Sequence, residues 1–129
     1  MAPIWQWSIK ETIGHLSDAE RIFAYRLLRI ARGDQTPLAS FEQEPYIETG
    51  KFSARKLCDL LDEFSSVRQA SITLMRSLDG KAWMSRGTAS GKEITPLALA
   101  FIIAGHERHH SMILEERYLP GLKAATAGT

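Results

Sequence analysis

Apolar residues return at three- and four-residue steps in three long stretches of the chain, and each stretch predicts an amphipathic helix. In the first, from about Ser8 to Arg32, one face carries Ile9, Ile13, Leu16, Phe23, Leu27 and Ile30. Ser8 with Glu11 three residues later has the form of a capping box, and Gly33 offers a C-terminal stop. The second runs from about Ser53 to Leu78, with a stripe of Leu60, Phe64, Val67, Leu74 and Leu78 in which Ser71 takes the remaining place. Asp79-Gly80 ends it. The third runs from about Pro96 to Leu119: Thr95 suits the N-cap, Pro96 the first helical position and Pro120-Gly121 the stop. The tail KAATAGT reads as a frayed end.

Two loops separate these stretches. DQTPLASFEQEPYIETGK contains a short helical pattern near Glu42–Glu48, and WMSRGTASGKEIT contains Ser90-Gly91, which can close a small hairpin. No segment of strand length alternates and none repeats. The pattern predicts one all-α domain over residues 1–129, an antiparallel helical bundle. Three long helices are one fewer than a four-helix bundle requires.

Composition narrows the function. The 129 residues suit one domain, and 44% apolar content supplies a core. A net charge of +1, from 16 basic and 15 acidic residues without a basic stripe, gives no electrostatic footprint for nucleic acid. No apolar run reaches the length of a membrane span, and MAPIWQWSIK lacks the layout of a signal peptide. The single cysteine, Cys58, excludes an internal disulfide framework; it reads as helix filler and fits a reducing compartment. The expectation is a cytoplasmic protein that spans no membrane.

The candidate chemistry lies in GHERHHSMI, residues 105–113, which holds three of the four histidines. At about 100° per residue, His106 and His110 are roughly 40° apart and one turn apart, on the face of Leu99, Ile102, Ile103 and Ile113. Two imidazoles on an apolar face need partners for four ring nitrogens, and a divalent metal supplies one partner to each ring. The i,i+4 spacing lets both converge on one ion. His15, on the first helix at the margin of its stripe, is the third candidate. Three imidazoles from two helices would leave coordination positions for water or substrate, as catalytic metals require. His109 is turned to the rim, and His106 with His109 at i,i+3 is the alternative pair. HERHH also matches the H-E-x-x-H form of metalloproteases, but no upstream sheet and no suitably placed third ligand accompany it. Glu107 remains as a base for another metal-assisted step; its plainer reading is a solvated helix charge.

The segments WSIKETIGHLSDAERIFAYRLLRIARGD, LLDEFSSVRQASITLMRSL, RGTASGKEITPLALAFIIAGHERHH and ILEERYL resemble the DinB-like superfamily, which includes YfiT-type proteins described as metal-dependent hydrolases. The resemblance covers about Trp7 to Leu119, and GHLSDAER and AGHERHH carry most of it. It implies an up-down-down-up four-helix bundle that binds a divalent metal, zinc or nickel first and iron or manganese as alternatives. It assigns the ligands to His15, His106 and His110. It also implies a small-molecule substrate, since several members are thiol S-transferases that use a low-molecular-weight thiol. Against the family pattern, the chain begins about where a first helix should end. The expectation is an exposed apolar groove covered by a second copy of the chain, a homodimer to which Trp5 and Trp7 contribute. The alternative for the tryptophans is that they close the end of the core.

Two functions from different classes follow. One is a metal-dependent enzyme of the thiol S-transferase or hydrolase type. The other is a non-catalytic metal-binding stress-response protein, in which the ion stabilises the bundle.

Overall fold

The computed structural model describes residues 7–117. The chain forms α1 (Ile9–Ala31), α2 (Gln43–Gly50), a 3-10 turn (Phe52–Ala54), α3 (Leu57–Arg76), α4 (Gly80–Trp83), β1 (Gly87–Ala89), β2 (Lys92–Ile94) and α5 (Pro96–Arg117). Local chemistry sets most of these limits. The Ser8 hydroxyl accepts from the Glu11 amide while the Glu11 carboxylate accepts from the Ser8 amide, so the predicted capping box starts α1. The Thr95 hydroxyl accepts from the Ala98 amide at the start of α5. Asp79 does more than end the second long stretch: its carboxylate accepts from the Ala82 amide and starts the single turn of α4. The second long helix starts later than the pattern predicts, at Leu57, because the chain first makes the 3-10 turn that buries Phe52.

The hairpin at Ser90-Gly91 forms as predicted. Ala89 pairs with Lys92, Thr88 with Glu93 and Gly87 with Ile94, leaving a two-residue loop. Ser90 and Gly91 have φ values of 53° and 75°, the left-handed backbone that a type I′ turn demands of both residues. Leu38 is stitched to this hairpin: its amide donates to the Thr88 carbonyl and its carbonyl accepts from the Ser90 amide.

α1 is the central element. α3 and α5 both pack along it and make little contact with each other. One core cluster joins Leu27 and Ile30 of α1 to Leu38, Ala89 and Leu99, with Leu74, Met75 and Ala100 packed around it. A second joins Ile13, Phe52 and Leu60 near the start of α1. Because α5 packs mainly on one neighbour, its flanks stay open. Phe101 is 72% exposed, and Ile102, predicted on the inward face, is 39% exposed. Among the described residues no helix is long and apolar enough to cross a membrane.

Candidate metal centre

His15 lies on the part of α1 that faces α5, one residue after Gly14, against which the Phe52 ring packs. Burial there is more complete than its marginal place in the stripe predicts: His15 and His110 are each 2% exposed, and His106 is half-buried. The three rings meet. Centroid separations are 4.9 Å for His15 and His106, 5.0 Å for His15 and His110, and 4.6 Å for His106 and His110. Nε2 of His15 stands 3.0 Å from Nε2 of His106. One ligand nitrogen from each ring lies within 4.8 Å of the other two.

Aromatic walls close the group. Trp7 is buried with its ring 4.8 Å from His15, and it stacks on His110 at 6.2 Å and 9°. This corrects the expectation that Trp7 contributes to a contact with a second chain: it closes the end of the core inside its own chain. Trp5 lies outside the described residues. Phe23 meets His106 edge-on at 5.5 Å.

Burial also sets the protonation state. Desolvation, reinforced by the charges that His106 and His110 would carry, pushes the His15 imidazole down to about 3. Desolvation, with smaller contributions from His106 and His109, pushes His110 down to about 4. His106 is also lowered by burial and by His109, while Glu20 acts in the opposite sense. All three rings are therefore neutral at pH 7, the form that ligates a metal. The donor set fits such an ion. Nitrogens bound to one tetrahedral ion at about 2.0–2.1 Å stand roughly 3.3 Å apart, between the 3.0 Å of the close pair and the 4.8 Å limit of the group.

The alternative pair of His106 and His109 does not form this group. The His109 ring lies 5.4 Å from that of His110 on the exposed side of α5. Glu107 is next to His106 in sequence. It is half-buried, and its charge acts on Arg68 of α3. Cys58 is exposed, and its thiol donates weakly to the Asp59 carboxylate at 3.9 Å.

Two charged residues beside the trio escaped the sequence reading. Glu20 is 3% exposed, and its two oxygens accept from Nε and Nη2 of Arg68 at 2.8–3.0 Å. This pair bonds α1 to α3 and sets a negative charge where it acts on His106. The available signal was an acid at a stripe position of α1, four residues after Leu16 and seven before Leu27.

The sequence model of the DinB superfamily matches residues 4–113, which includes all three histidines and every described element except the last turn of α5. Comparison with curated proteins and with solved structures found no match.

Proposed function

The chain belongs to the DinB superfamily, and from that premise we propose that it is a metal-dependent enzyme of the thiol S-transferase or hydrolase type. One observation carries the reading: three neutral imidazoles from two helices come together, and as ligands they would fill only three positions of a metal's shell. His15, His106 and His110 would hold the ion, zinc or nickel first and iron or manganese as alternatives, since imidazole suits several divalent metals. A divalent ion in that place lowers the pKa of a bound thiol or water, so that a nucleophile exists near neutral pH.

The chain's own residues do the rest. The trio presents neutral nitrogens because burial disfavours the charged rings. Trp7 and Phe23 cover His110 and His106 and keep bulk water from those sides. Glu20, held by both oxygens on Arg68, sets a negative charge that acts on His106. We assign Glu107, half-buried and next to His106 in sequence, to accept the substrate's proton. Replacing it by Gln should slow turnover and leave metal content unchanged.

The reading is tested with a panel of low-molecular-weight thiols and one electrophile, run with the metal-loaded and the chelated protein. Metal-dependent loss of thiol supports it. Equal rates in both preparations, across the panel and a set of ester and amide substrates, overturn it. We also propose self-association: the α5 face bearing Leu97, Phe101 and Met112 is exposed. Light scattering at micromolar concentration should report a dimer, and a monodisperse monomer removes this part.

A further inference from the structure

Three turns along α1 from the trio is a buried cation that the proposed function does not use. Arg26 follows His15 by eleven residues, about 16 Å along the axis, and is 8% exposed. Its Nη2 donates to the Ala39 carbonyl at 2.7 Å and to the Ser90 hydroxyl at 3.3 Å. Nε and Nη1 donate to no described residue, and no carboxylate among the described residues comes within ion-pair distance. Among the described residues only Ser17 Oγ is both shut off from solvent and without a hydrogen-bond partner, so Nε and Nη1 of Arg26 stay within reach of solvent although most of the side chain is buried. Two neutral oxygens still leave the guanidinium without a paired anion, and charges this far buried are usually paired.

A cavity of about 370 Å³ adjoins this guanidinium. Its apolar walls are Ile22, Leu38 and Phe41, and the rings of Tyr25 and Tyr46 complete it. Phe41 faces the guanidinium carbon at 5.9 Å, and its ring meets that of Tyr46 at 5.4 Å and 55°, which makes an angled aromatic side next to the charge. Arg29 also lines the cavity, but its charge is committed to Asp34 at 2.6–2.7 Å. The net unpaired charge in the cavity is that of Arg26 alone. The volume lies in the range of small-molecule sites, which join apolar walls to a few fixed polar groups.

We propose that this cavity binds a small organic carboxylate with a flat apolar body. The carboxylate takes the free Nε and Nη1 donors of Arg26, and the body lies against Phe41 and Tyr46. A monoanion balances the single unpaired charge, and charge-assisted hydrogen bonds are about twice as strong as neutral ones. The aromatic side favours such a body over an inorganic anion. The inference is independent of the metal centre.

The test is calorimetric titration of the full chain with sodium benzoate, and with benzamide as the neutral isostere. Benzoate should bind saturably, one per chain, and benzamide more weakly by about tenfold or more. Arg26→Gln keeps a donor for Ala39 and removes the charge, and it should weaken benzoate by about tenfold or more. Because Arg26 also ties the 37–41 loop to the hairpin, a second variant leaves its bonds alone. Ser40→Trp, on the exposed part of the lining, fills the cavity and should abolish benzoate binding with little change in melting temperature. Absence of saturable benzoate binding up to about 10 mM, equal binding of benzamide, or full affinity in Ser40→Trp overturns the proposal.

Discussion

Replacing Gly14 by Ala sets helix propensity against packing one residue from His15. On propensity alone, Ala in place of a mid-helix Gly stabilises by about 0.8–1 kcal/mol. The structure opposes that gain. A methyl carbon on Gly14 would stand 2.3 Å from Phe52 Cδ1, with Cγ and Cε1 at 2.4 and 2.5 Å. Carbon contacts are comfortable at about 3.5–4.0 Å, so the ring would have to retreat by more than about 1 Å. Phe52 has little room to do so, since it is buried and also pressed against Gly50. Overpacking of this kind costs about 1–3 kcal/mol. The net expectation lies between no change and a destabilisation of about 2 kcal/mol, each 1 kcal/mol being on the order of 5 °C in melting temperature. Gly105→Ala in α5 is the matched control, because among the described residues nothing beyond its chain neighbours and the nearby backbone of its own helix lies within 4 Å of the added carbon. It should raise stability by about 0.5–1 kcal/mol. Urea unfolding followed by circular dichroism gives both midpoints. A Gly14→Ala midpoint raised as far as that of Gly105→Ala would refute the packing of the 3-10 turn on α1.

Glu20→Gln leaves the Arg68 guanidinium without its charge partner, and with Arg68 partly solvated the expected loss is about 2–3 kcal/mol, read as a lower urea midpoint. An unchanged midpoint would mean that the pair does not hold α1 to α3. Ser17 has a buried hydroxyl with no hydrogen-bond partner among the described residues. Ser17→Ala should therefore be neutral or stabilising by up to about 1 kcal/mol, and a clear loss would reveal a partner. The metal-free protein should lose stability as pH falls. Its histidines sit below their unfolded value of about 6.5, at about 3 for His15 and about 4 for His110, so between those values the unfolded chain binds more protons. Stability is then level above pH 6.5 with respect to these groups and declines as pH drops below it. A chelator-treated sample with the same urea midpoint at pH 7.5 and pH 5.5 would contradict this.

The parts legible in the sequence are those governed by neighbours within one helical turn. The Ser8–Glu11 capping box, Pro96 and the Ser90-Gly91 turn each act over two to four residues, and each appears where the pattern places it. The i,i+4 relation of His106 and His110 is of the same kind. That His15 joins them depends on how α1 packs against α5; spacing put His15 only at a margin, and the family resemblance supplied the rest. What stayed hidden depends on contacts between distant segments. Glu20 finds Arg68 at a separation of 48 residues, and Arg26 finds Ala39 and Ser90 at separations of 13 and 64. Periodicity says which face is buried but not which charge lies opposite. Ile102 errs for a related reason: one inward face was assumed to be fully covered, whereas α5 is covered mainly by α1. Asp79 looks like an ending in the sequence because the same residue types that stop one helix also cap the next.

The central claim is that His15, His106 and His110 hold one divalent metal, and metal analysis by mass spectrometry of single-alanine variants tests it most directly. After equilibration with zinc and gel filtration, the wild-type chain and His109→Ala should carry one ion per chain. His15→Ala, His106→Ala and His110→Ala should each have lost most of it while keeping a helical spectrum. Full zinc occupancy in His106→Ala, or a metal-free His109→Ala, would contradict the account.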